Sequence, residues 1–182
     1  MRKDWWKYLS IVLFIYVIIA GLNNDVPRLA ILNETIRNLY FHVSIWFAMV
    51  FLMLSGTVRS VQFLKNEKLD FDYKALSLIQ VGLFLSTLGL LTGMVWAKFT
   101  WGAFWVNDPK LNGTAVTVLI YLAYLVLRNA IDEPKKRARL AAVYSIFAFV
   151  MLLVFIGVLP RLTDSLHPGN GGNPGFGNYD LD

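Results

Sequence analysis

Apolar residues in this chain come in long unbroken stretches. They follow neither the alternation of a half-buried strand nor the narrow stripe of a surface helix. Five stretches stand out: Tyr8–Leu22, Leu39–Val58, Ala75–Trp96, Leu111–Leu127 and Leu140–Leu159. Each reaches or approaches the roughly 20 residues that a helix needs to cross a bilayer. Inside hydrocarbon, backbone polar groups must be satisfied within their own segment, and single apolar runs achieve that as helices. The pattern predicts an all-α, polytopic integral membrane bundle of about five transmembrane helices. Trp5 and Trp6 lengthen the first run, and Asn112–Thr114 soften the start of the fourth. The "IIAGLNND" that closes the first run is a poor cleavage site, so this run is expected to stay as a helix and not to be removed as a signal peptide.

Composition and charge orient the bundle. The chain of 182 residues is 57% hydrophobic, against roughly 45–50% for a soluble domain, and its mean hydropathy is +0.53. With the N-terminus in the cytoplasm, the inner segments carry 12 of the 17 basic residues, leaving Arg28, Arg37, Lys98, Lys110 and Arg161 outside. The positive-inside rule therefore predicts a cytoplasmic N-terminus. The net charge of +5 needs only anionic membrane lipid to face; no nucleic-acid partner is called for. Residues 23–38, 97–110 and 160–182 then face outward. Residues 1–167 read as a single transmembrane domain, and the Gly/Pro/Asn-rich stretch 168–182 as an outer tail. The absence of cysteine excludes thiolate metal sites, disulfides and covalent haem attachment through C-x-x-C-H on this chain.

Candidate chemistry gathers on the outer side. The connection "WGAFWVNDPKLN", residues 101–112, places two tryptophans, a phenylalanine, an aspartate and a lysine between two spans. Large flat side chains in a loop suit a flat ligand, a membrane surface or simple anchoring. The chain has two histidines, His42 and His167. His42 lies about one turn into the second span, with Trp46 four residues on and hence on the same helical face. His167 follows the fifth span. Imidazoles from different helices can hold haem iron from opposite faces, and an outer cation could pair with a propionate. Each residue also has a plainer reading: interfacial histidines, belt tryptophans at Trp5, Trp6 and Trp96, and close helix packing for the GxxxG formed by Gly89 and Gly93. "IDEPKKRAR" reads as a solvated inner hairpin turn.

The segments "TGMVWAKFTWGAFWVNDPKL", "LRNAIDEPKKRARLAAVYSI" and "LHPG", taken in order, resemble the CcmC branch of the haem-handling proteins with a tryptophan-rich (WWD) loop, which serve cytochrome c maturation. The resemblance implies that His42 and His167 are the axial ligands of a transiently bound b-type haem, and that Trp101, Gly102, Trp105 and Asp108 belong to the loop that cradles the porphyrin. It further implies a multi-pass protein of the bacterial inner membrane with its haem site on the periplasmic side. Its partners would be a small CcmE-like haem chaperone and the ABC-type ATPase and permease subunits of the maturation complex. Such a protein is a delivery component and not an enzyme. No Walker-type G-x-x-x-x-G-K-[ST] occurs in the chain, so ATP hydrolysis would belong to a partner.

Three positions depart from the family's W-G-x-x-W-x-W-D-x-R-L-T: Asn107 stands for the last tryptophan, Lys110 for the arginine and Asn112 for the threonine. One stacking surface is lost, and Lys110 lacks the planar fork of arginine. The family's sixth span, after the second histidine, is also missing, so the chain is expected to be a truncated form, the alternative being a variant that keeps its C-terminus outside. The sister cytochrome c synthases of the same superfamily imply more histidines and a longer chain. On the residues alone two other functions stay open. One is a permease subunit for another substrate, against which the few mid-span polar residues (Ser55, Ser86, Thr87, Ser145) argue. The other is a membrane assembly factor without a ligand. If histidines ligate haem, retention should fall as pH drops below about 6, because ligation needs neutral imidazole.

Overall fold

The computed structural model describes residues 4–28 and 33–167; the outer tail expected at 168–182 lies outside them. All regular structure among the described residues is helical. Helix α1 spans Trp5–Asn23, and a short 3-10 turn at Asn33–Arg37 leads into α2, Asn38–Asn66. Helices α3, Leu69–Trp101, and α4, Pro109–Asn129, follow. The last rod among the described residues is α5, Pro134–Leu152, continued by a π-helical segment Leu153–Val158 and a short turn α6, Leu159–Leu162. These make five rods long and apolar enough to cross a membrane, as the apolar runs predict.

The helices outrun the apolar runs because their polar ends keep helical hydrogen bonding while reaching water. Between α2 and α3 only Glu67 and Lys68 remain non-helical. Glu67 adopts φ 55°, and its N–H closes on the Phe63 carbonyl at 2.7 Å. Helix α5 starts earlier than expected. Pro134 takes a first-turn position where its missing N–H costs nothing, and the Glu133 carboxylate accepts the Lys135 and Lys136 amides at 2.9 and 2.6 Å. Much of the supposed hairpin turn is thus the opening of α5, with Ala138 fully buried.

Helices α2 to α5 share one core around Met49, Met53, Ile79, Leu83, Tyr121, Tyr124, Ala141, Ala148 and Leu152. Glycines let the rods close on one another: a Cβ at Gly56 would lie 2.9 Å from Ile79, and one at Gly82 3.0 Å from Met53. Gly113 on α4 is the tightest of these approaches, since a Cβ there would lie 2.6 Å from the Phe155 carbonyl oxygen in the π-helical segment. Helix α1 buries no residue. It is tied to the bundle at its C-terminal end, where Arg37 donates to the Gly21 and Asn24 carbonyls at 2.9 and 2.7 Å.

Arg128, one of the basic residues assigned from the sequence to the inner segments, is 4% exposed. Its guanidinium forms a two-pronged ion pair with buried Asp72 at 2.5 and 2.8 Å and reaches the Tyr124 hydroxyl at 3.4 Å. The helix that carries Arg128 packs this end against α3, and burial there forces the charge to take a partner.

Candidate functional site

At the opposite end of the bundle the start of α2, the end of α3, the start of α4 and the chain beyond α6 converge. His42 sits one turn into α2. Its Nδ1 lies 2.9 Å from Thr92 Oγ1 on α3, and its Nε2 lies 3.1 Å from the Trp46 indole nitrogen. The indole can only donate, so Nε2 is the acceptor and the imidazole proton belongs on Nδ1. Thr92 agrees with that assignment, since its own hydroxyl proton goes to the Leu88 and Gly89 carbonyls, both at 3.0 Å. Asn38 fixes the same turn of α3 by donating to the Thr92 carbonyl at 3.1 Å.

The Gly89–Gly93 pair is close packing, and what it packs is this histidine. A Cβ at Gly93 would lie 3.0 Å from His42 Cε1, and one at Gly89 2.9 Å from the Trp46 ring. Small residues on α3 thus make the space that His42 and Trp46 fill from α2.

His167 is organised differently. Its Nδ1 lies 2.8 Å from Asp108 Oδ1. Asp108 is 1% exposed and collects four more donors. Oδ1 accepts the Lys110 and Leu111 amides at 2.9 and 3.0 Å, capping α4, while Oδ2 accepts the Ser165 hydroxyl and the Leu166 amide, each at 2.8 Å. Burial alone would raise the pKa of this carboxyl, but the hydrogen bonds from His167, Ser165 and Leu111 outweigh it and hold the group well below the usual carboxylate range. As a carboxylate, Asp108 accepts the His167 Nδ1–H, and Nε2 is left with no hydrogen-bond partner among the described residues.

The aromatic segment is more divided than its sequence suggests. Trp101 is the last residue of α3, and its ring meets the His167 ring edge-on, centroids 5.0 Å apart at 71°. Gly102 ends the helix at φ 85°, in the left-handed region that suits glycine, and no neighbour would obstruct a Cβ there. Trp105 makes no ring contact with either histidine among the described residues. Its indole donates to Asn112 Oδ1 at 3.1 Å, and the Asn112 amide donates to Asn107 Oδ1 at 2.9 Å. Two of the three departures from the loop pattern therefore satisfy each other and hold Trp105. Of the six residues singled out, the structure joins His167, Asp108 and Trp101 directly. His42 is held separately, by Thr92 and Trp46.

Lys110, the third departure, is half-buried and has no hydrogen bond or ion pair from its ammonium among the described residues. The other outer cations are engaged: Arg37 as above, Lys98 with the Gly102 carbonyl at 3.0 Å, Arg28 with Glu34 at 3.9 Å and Arg161 with the Gly157 carbonyl. Sequence reading noted Trp46 only as a same-face neighbour. It gave no signal for Thr92 or Ser165, whose roles depend on contacts between distant segments.

The donor set fits haem. No group of three or more His, Cys, Asp or Glu side chains that could hold a bare metal ion exists among the described residues. Two imidazoles suit a metal whose other positions a macrocycle already fills. A carboxylate behind one imidazole is the usual outer-shell support of a ligating histidine.

The fold defines a class, the polytopic helical membrane proteins. Residues 2–169 match the family model of heme exporter protein C, CcmC, and the chain belongs to that family. Curated relatives carry the name cytochrome c biogenesis protein CcsA. One from Prochlorococcus marinus subsp. pastoris is 36% identical over 105 residues, 57% of this chain and 32% of the relative. One from a Synechococcus strain is 36% identical over 102 residues, 56% of this chain and 32% of the relative. The matched part thus spans about a third of the length of those relatives.

Proposed function

We propose that this protein binds b-type haem at the outer face of the bacterial inner membrane and presents it to a haem chaperone, as the CcmC-type component of a maturation complex. The single observation that carries this reading is the His167–Asp108 pair, which leaves His167 Nε2 without a partner at the same end of the bundle as His42. When bound, haem would supply an iron that the imidazoles of His42 and His167 would hold, and its redox chemistry would be the cofactor's own.

The chain's own residues do the holding. Asp108 fixes the tautomer and orientation of His167. Trp101 sets the ring plane of His167. Lys110 offers the one outer ammonium lacking an acceptor among the described residues, and a propionate matches it in charge. Trp105 and Phe104, both exposed, would form the apolar rim that meets a porphyrin edge or the chaperone. The excess of basic residues on the segments away from the site supports a cytoplasmic N-terminus and a periplasmic site. Energy from ATP would come from an ABC-type partner.

The test is a visible spectrum of the protein purified in mild detergent, oxidised and reduced, beside His42→Ala and His167→Ala. A Soret band with sharp reduced α and β bands, diminished in both variants, is expected. A wild type that stays colourless and takes up no added haem would overturn the reading in favour of a permease subunit or a ligand-free assembly factor.

A further inference from the structure

The two histidines differ in one respect that the family resemblance does not address. His167 Nε2 has no hydrogen-bond partner among the described residues, whereas the equivalent atom of His42 is already taken by the Trp46 indole N–H at 3.1 Å. The tautomer is set by Thr92, so Nε2 carries the only lone pair His42 could offer to a metal. Trp46 in turn is seated on α3 where Gly89 leaves room for its ring. The rings of His42 and Trp46 meet edge-on, centroids 6.0 Å apart at 68°.

We propose that Trp46 is a latch on His42: its indole N–H holds the His42 Nε2 lone pair in the haem-free protein and must let go before His42 can ligate. The proposal rests on the reading of His42 and His167 as axial ligands. It makes the two ligands unequal in kind. His167 stands ready, braced by Asp108, while His42 exchanges between a protein donor and the iron. Half-buried lone pairs are costly to leave bare, and the latch ensures that losing haem never leaves His42 Nε2 unpaired. Release is eased because Trp46 competes for the same atom, which suits a protein that must give its cargo away. A donor that stabilises only the haem-free state lowers haem affinity by its own equilibrium constant.

The experiment uses the full chain in mild detergent with isotope-labelled tryptophan indoles. The Trp46 N–H resonance is identified by its loss in Trp46→Phe. It is expected to move in His42→Ala without haem, and to move again in the wild type when reduced protoporphyrin IX iron is added. Trp46→Phe keeps a ring against Gly89 but has no donor. It should release ferric haem to an excess of apo-globin about fivefold more slowly than wild type, the factor that one ordinary hydrogen bond represents. Gly89→Ala, which crowds the indole, should shift release the same way and guards against a folding artefact in a single variant. A Trp46 resonance indifferent to both His42→Ala and haem would overturn the latch. So would wild-type release from Trp46→Phe while both histidine variants lose haem, an outcome that leaves the ligand reading intact. Unchanged spectra in both histidine variants would remove the ligand reading and the latch together.

Discussion

Asp108 and His167 lie 59 residues apart in sequence and meet through a 2.8 Å hydrogen bond. The same carboxylate caps α4 and receives the Ser165 hydroxyl and the Leu166 amide. One side chain therefore starts a membrane helix, closes the end of the chain's last rod over the site, and aims an imidazole. Asp108→Asn keeps the shape and can still cap α4, but it cannot accept all five donors as a carboxylate does. Haem retention should fall by about 10- to 100-fold, the usual cost of losing such outer support, with a smaller loss of stability of about 1–2 kcal/mol. Haem titration beside a thermal melt separates the two effects.

Acid should act on haem-free protein through the same residue. The folded-state pKa of Asp108 is depressed, so its contribution is complete above the unfolded value, about 4, and is lost as pH falls further toward the folded value. The melting temperature of the wild type should hold between pH 7 and 5 with respect to this group and then drop below pH 4. Asp108→Asn should show a shallower drop over that lower range. Parallel curves for the two proteins would count against Asp108 as the acid-sensitive group.

Gly93 gives a test of the His42 pocket that leaves both histidines in place. A Cβ there would lie 3.0 Å from His42 Cε1, and the larger side chain of Gly93→Leu has no room unless the imidazole moves. The variant should cost about 1–3 kcal/mol by overpacking and should lose the reduced bis-histidine spectrum, as His42→Ala does. Retention of both sharp bands would show that the imidazole can shift without leaving the iron.

The Arg128–Asp72 pair lies at the other end of the bundle and should matter for folding alone. Asp72→Asn or Arg128→Met strands one buried charged or polar partner and should cost about 3–5 kcal/mol, while the combination Asp72→Leu with Arg128→Met should recover most of it. Thermal unfolding in detergent measures this, and the haem spectrum of whatever folds should match the wild type.

Asn107 and Asn112 should behave as a coupled pair. Asn112→Thr removes both the acceptor for Trp105 and the donor to Asn107. It should free the Trp105 indole, seen as a change in tryptophan fluorescence, at a stability cost of about 1 kcal/mol or less given the exposure of the site. Adding Asn107→Trp to it restores the family pattern at two of its three departures, leaving Lys110, and should add surface for stacking at the rim.

The five rods were legible because a bilayer demands long apolar runs, and nothing else in a chain of this size produces them. His42 and Trp46 on one face followed from helical spacing. What could not be read was any contact between rods. Asp108 looked like part of an aromatic loop, and its pairing with His167 depends on where the end of α6 returns. Trp101 was expected in the loop but closes α3, which runs five residues beyond Trp96, the end of the apolar run, before the left-handed Gly102 stops it. The pairing of Arg128 with Asp72 was not legible either, because a count of basic residues cannot tell a solvated cation from a buried one. The two asparagines looked like losses singly and make sense only as partners.

The π-helical segment at Leu153–Val158 changes which kinds of alteration the protein can tolerate. A π turn carries one residue more than an α turn, so everything beyond it is rotated by about 100° relative to a straight α-helix. Removing one residue from that stretch would restore ordinary winding and swing Ser165, Leu166 and His167 off the Asp108 carboxylate, although none of the residues that touch that carboxylate had been altered. A substitution in the same stretch would leave the phase intact. For His167, the number of residues that precede it is as much a part of the site as the imidazole itself.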